Sequence, residues 1–113
     1  MKSYTLRGEK VIVAIKKYGN NRPCIVITDE DGLPYMIASV NVPERPLEDN
    51  EVVIKDYAEN EGVYKWLLER NIVSSPIGTH QLAFNRVPIC VLHPIEEWVD
   101  ENASLSEIDD YLD

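Results

Sequence analysis

The run Val52-Val53-Ile54-Lys55-Asp56-Tyr57-Ala58-Glu59-Asn60-Glu61-Gly62-Val63-Tyr64-Lys65-Trp66-Leu67-Leu68 constrains the fold more than any other stretch. Three consecutive branched apolar residues read as a strand buried on both faces. The polar residues that follow stop it. From Glu61 to Arg70 the apolar positions return at helical spacing, with Val63, Trp66, Leu67 and Arg70 on one face. Asn60 is the expected N-cap, and Asp56, with Glu59 three residues on, is an earlier alternative. Glu61 and Lys65 stand in the favourable i,i+4 order. Asn71 suits the left-handed position after the helix, with Ile72 as the apolar residue beyond it. The chain is thus organised around a strand that turns into its best helix.

Strand-like segments flank this unit. Glu9–Tyr18 alternates Val11, Val13 and Ile15 with Ile12, Ala14 and Lys16, and Gly19-Asn20-Asn21 is a turn signal. Cys24–Thr28 then completes a hairpin. Asp29-Glu30-Asp31-Gly32 leads to a third strand from Leu33 to Val42, with Tyr35, Ile37 and Ser39 on one face and Pro34 marking an edge. Pro43 to Asn50, with two prolines, is irregular, and Glu51–Lys55 is a fourth strand. Ala83-Phe84 and Val87–Leu92 give a last strand or hairpin, in which Pro88 implies an edge or a bulge. The expectation is α+β: a mainly antiparallel sheet of about five strands, one central helix packed on it, and a short helical acidic C-terminus. Residues 1–92 form one domain. Residues 93–113 are an acidic extension, docked on the domain or held out for a partner.

Charge separates these two parts. The 113 residues carry a net −9. Eight of the 20 acids (Glu96, Glu97, Asp100, Glu101, Glu107, Asp109, Asp110 and Asp113) lie in 93–113, where there is no Lys or Arg. Twelve acids and all 11 basic residues lie before it, so the body is near neutral. Direct binding of nucleic acid or of an anionic membrane is disfavoured, and a basic protein surface is the natural partner, with Trp98 as an apolar anchor. Asp109, Asp110 and Asp113 would sit at a helix C-terminus, where the macrodipole opposes negative charge; stability alone does not favour that placement. Against nucleic-acid mimicry by this segment alone, a duplex carries a charge every ~1.7 Å, whereas eight acids on a helix give one per roughly 4 Å.

Motifs for catalysis are weak. Cys24, His80, Cys90 and His93 contain one close pair, whereas zinc sites usually show two. Cys90 lies between Ile89 and Val91, where burial makes a thiol inert. The Asp29–Gly32 segment lacks the spacing of a calcium loop. No phosphate loop is present and no metal or other cofactor is expected. The absence of an apolar leader and of an 18-residue apolar run leads to a cytoplasmic expectation with free thiols.

Val52 to Gly62 resembles the signature of an uncharacterised family of small proteins from gut bacteria and their phages and mobile elements, V-x-I-K-D-Y-x-E-N-E-G. Asn41-Val42-Pro43 resembles its middle loop and Val87–Leu92 its closing strand. The resemblance spans roughly residues 8–92 and brings no activity. It implies a mobile-element accessory protein that binds a host protein. Three expectations follow. The first is a non-enzymatic protein whose acidic segment covers a basic host surface, such as that of a nuclease or another nucleic-acid-binding protein, in counter-defence. The second is a small enzyme or ligand-binding domain with its site at the junction formed by Lys55, Asp56, Tyr57, Glu59, Asn60 and Glu61. The third is a homodimeric structural protein.

Overall fold

The computed structural model describes residues 3–93. The fold class is α+β, but the strands number eight and form two antiparallel four-stranded sheets instead of one sheet of about five. The first sheet runs in sequence order: β1 (Ser3–Leu6), β2 (Glu9–Lys17), β3 (Pro23–Thr28) and β4 (Pro34–Ile37). The second contains β5 (Ser39–Val40), β6 (Glu51–Ile54), β7 (Gly78–Gln81) and β8 (Arg86–Val91), in the order β5-β6-β8-β7. A 3-10 turn (Ala58–Asn60) and helix α1 (Val63–Glu69) lie between β6 and β7.

The hairpin expected over residues 9–28 is present, with Val13 opposite Ile27 and Ile15 opposite Ile25. Alternation then divides the side chains between faces. Val11, Val13, Ile25 and Ile27 enter the main core, while Cys24 and Val26 pack with Tyr18 on the other side. β6 does the same: Val52 and Ile54 face the main core, and Val53 joins Val42, Val87 and Ile89 in a second layer. This two-sided burial is why Val52, Val53 and Ile54 are apolar in succession.

The expected third strand, Leu33–Val42, is divided at Ala38. The Ala38 amide donates to Ile25 O in the first sheet at 2.9 Å, and its carbonyl accepts from Lys55 N beside the second at 2.8 Å. One fully buried residue therefore passes the chain from one ladder to the other. Met36 and Ala38 carry the core face, whereas Tyr35 is exposed. Pro34 opens β4, an edge strand, as expected. Pro88 lies in β8, an interior strand, contrary to expectation. It fits because the β6 ladder stops at Val53 opposite Ile89, leaving Pro88 paired only with Thr79 of β7.

Helix α1 has seven residues, shorter than the Glu61–Arg70 span expected. Isolated helices of this length do not persist in water. Val63, Trp66 and Leu67 hold it by burial in the main core, worth about 1.5–3 kcal/mol for each fully buried side chain. Trp66 Nε1 donates to Thr5 O at 2.8 Å, so its polar group is satisfied on burial. Among the described residues no helix is long and apolar enough to cross a membrane.

Candidate functional site

The segment between β6 and α1 folds back on itself. Asp56 N donates to Ile54 O at 3.1 Å, and Tyr57 is extended. Ala58 then adopts a left-handed conformation at φ 54°, which a non-glycine residue occupies at a cost of about 1–2 kcal/mol. The 3-10 turn ends at Asn60, and Gly62, also left-handed at φ 93°, takes the N-cap position of α1.

Neither residue expected to cap the helix does so in the ordinary way. Asp56 Oδ1 accepts from the amides of Gly62 at 2.9 Å and Tyr64 at 3.1 Å, so it serves the helix from six and eight residues away. Asn60 is not the N-cap: its side chain is buried, and its Nδ2 donates to Ile37 O at 2.6 Å, tying the turn to β4. The Glu61–Lys65 ion pair is replaced by one between Lys55 and Glu59, 2.6 Å apart.

Arg7 completes the junction from the first hairpin. Arg7 and Gly8 both have positive φ and form the two-residue turn between β1 and β2. The Arg7 guanidinium donates to Glu59 O at 2.8 Å and to Glu61 O at 3.0 Å. These bonds use carbonyls that the short 3-10 turn leaves free, and they hold a strained turn in place across 52 residues of sequence.

The result is an open cleft of about 550 Å³ between the edge of β4, the start of β5 and the junction. Tyr35, Ile37 and Val40, with the edge of the buried Met36, supply its apolar lining; Arg7, Lys55, Tyr57, Glu59 and Asn60 also line it. Ser39 also lines it, but its hydroxyl is engaged by Tyr18 Oη at 2.9 Å and by the Ile25 amide at 3.1 Å. Lys55 Nζ lies 5.7 Å from the centroid of the Tyr57 ring, and among the described residues one carboxylate oxygen, Glu59 Oε1, engages it. The hydrogen bond from Lys55 holds the Glu59 carboxyl below its usual range.

Four of the six junction residues expected at a ligand site therefore line the cleft: Lys55, Tyr57, Glu59 and Asn60. Asp56 is used as a cap. Glu61 lines a separate depression of about 340 Å³ along α1, with Arg7, Lys65 and Trp66. Arg7 and the β4–β5 wall were missed. An Arg-Gly pair between two strand-like runs is a turn signal, but its contact with residue 59 is a property of the fold.

Nothing lining the cleft is arranged as an activated nucleophile. Cys24 and Cys90 are free and fully buried. Burial pushes both thiols up, Cys90 to about 12, and neither reaches the cleft. Among the described residues no group of three or more His, Cys, Asp or Glu could hold a metal ion. Asp29 Oδ1 accepts from the amides of Asp31 and Leu33, so that carboxylate closes a hairpin turn. Glu96, Glu97, Trp98, Asp100, Glu101, Glu107, Asp109, Asp110 and Asp113 lie outside the described residues. No family model, curated protein or solved structure matches the chain.

Proposed function

We propose that this chain is a binding protein, and that the cleft at the strand–helix junction takes an apolar or aromatic group bearing a carboxylate. The observation that carries this reading is the composition of the lining. Tyr35, Ile37 and Val40 offer apolar surface, and Lys55 lines the same cleft with a cationic head. The volume lies within the usual range of ligand sites, roughly 300–1,000 Å³. An ammonium has three donors, so engagement with Glu59 leaves capacity for a second carboxylate. No nucleophile–base pair in the cleft favours turnover over binding.

Indole-3-propionate and its neutral primary amide are suitable probes, followed by NMR on the full chain. The acid should saturably shift the amides of Tyr35, Ile37, Lys55 and Tyr57. Lys55→Ala should weaken the acid at least fivefold more than the amide. Shifts scattered over other surfaces, or none, would remove the cleft as a binding site.

A second reading is favoured by charge. The acidic segment, with eight acids and no basic residue, suits a basic surface on a host protein, as expected of a mobile-element accessory factor in counter-defence. Capture of such a partner should be lost at high salt and on removal of residues 93–113. A homodimer is a third reading, supported by the outer edge of β4 and exposed Leu33 and Tyr35 beside it. Sedimentation at several concentrations tests it, and a monomer throughout excludes it.

A further inference from the structure

We propose that residues 94–113 are themselves an occupant of the cleft, with Trp98 and its flanking carboxylates set against the Tyr35–Tyr57 walls and Lys55. This rests on the reading of the cleft as a binding site, and it names a ligand of that chemistry within the same chain.

The first argument is position. His93 is fixed at the C-terminal end of α1: its amide donates to Ile72 O at 3.0 Å and its Nδ1 meets Asn71 O at 2.9 Å. Residue 94 therefore leaves from that end. The cleft begins at the other end, where Arg7 holds the Glu59 and Glu61 carbonyls. Seven helical residues span about 10 Å. Five extended residues, the separation of Trp98 from His93, span ~17 Å. Trp98 can thus pass the whole helix and reach the Arg7 side, and later residues can reach Lys55.

The second argument is the path. The depression along α1 is lined by Lys65, Trp66 and Arg7, and Arg7 also lines the cleft, so the two are neighbours on either side of one side chain. Arg70 lies over the Trp66 ring at 4.5 Å at the start of this path. Four cations thus mark it: Arg70, Lys65, Arg7 and Lys55. Three acids share it, with Glu69 against Arg70, Glu59 against Lys55, and Glu61 exposed. Lys65 has no ion-pair partner among the described residues.

The third argument is complementarity. Glu96, Glu97, Asp100 and Glu101 surround Trp98, so this stretch is an aromatic group carrying carboxylates. Ile95 and Val99 add apolar surface that the cleft wall can cover. The carboxylate of Glu59 competes for Lys55, which keeps such docking reversible. A basic partner that takes the acids would then uncover the cleft, and a cleft ligand would release the acids; each effect implies the other.

The test uses the full chain with a spin label at Ala103→Cys. Cys24 and Cys90 are fully buried, so the introduced thiol is labelled selectively. The amides of Tyr35, Ile37, Lys55 and Tyr57 should fall below half their diamagnetic intensity, and those of β7 should be affected least. Lys55→Glu combined with Lys65→Glu should restore most of the loss. Broadening centred on another face, no broadening, or broadening only between differently labelled copies overturns the proposal. If the cleft stays unbroadened while indole-3-propionate still shifts it, only this occupant is wrong; if neither probe reaches it, the underlying reading fails as well.

Discussion

The two ends of α1 solve the same problem by opposite means. At the C-terminal end the backbone closes on itself: Asn71 N donates to Leu68 O and Ile72 N to Leu67 O, both at 3.0 Å, with Asn71 left-handed at φ 60°. Ile72 then enters the core. Every part lies within six residues. At the N-terminal end nothing local suffices. Gly62 has no side chain to cap with, so Asp56 accepts from the Gly62 and Tyr64 amides, while Asn60 and Arg7 tie the preceding turn to Ile37 and to a distant hairpin. The local end is sealed, and the end assembled from distant parts leaves the cleft. A surface able to receive a ligand arises where polar groups from several elements converge without filling the space between them.

Variants can break or sharpen this contrast. Ile72→Ala removes a fully buried side chain from the sealed end and should cost about 2–5 kcal/mol in denaturant unfolding. A loss under ~1 kcal/mol would mean that the backbone motif alone closes the helix. Alkaline titration examines the core that both ends share. Burial lifts the Cys90 thiol to about 12, above the ~8.5 of an unfolded chain, so the native state retains a proton the unfolded state has lost. Stability is complete below pH ~8.5 and should fall from there towards pH 12, by up to about 1.4 kcal/mol per pH unit from this group. Cys90→Ala should flatten the slope; an unchanged slope would assign it to Tyr18 and Cys24, whose burial acts in the same direction.

Asp56→Ala strips the acceptor from two helix amides and should cost about 1–2 kcal/mol, with weaker binding of indole-3-propionate. Loss of stability with binding intact would separate the cap from the cleft. The smallest effects concern strain. Ala58 is exposed and left-handed, so Ala58→Gly should raise stability by about 0.5–1 kcal/mol, whereas Asn71→Gly should change it little, because asparagine tolerates that conformation. Equal gains would show that the two ends are equally strained.

Local chemistry made much of this legible. The β2–β3 hairpin, the core face of α1 and the Asn71–Ile72 stop follow from periodicity and turn residues. Lys55, Tyr57, Glu59 and Asn60 stand out in the sequence because a polar run between a buried strand and a helix must be satisfied somehow. The sequence did not reveal that Asn60 points inward, because an asparagine before a helix has the same signature whether it caps or is buried. Nor did it reveal the division at Ala38, since alternating residues read as one strand whichever sheet pairs with each half.

Sequence alone therefore determined the α+β class, the strand that becomes a helix and the separation of a neutral body from an acidic segment. These depend on composition and on spacings of a few residues, which set periodicity and charge directly. Tertiary structure decided that there are two sheets, that Arg7 clamps residues 59 and 61, and that β4 and Lys55 border one cleft. Those depend on which ladders pair and how hairpins meet, and contacts separated by 52 residues leave no periodic trace in the chain.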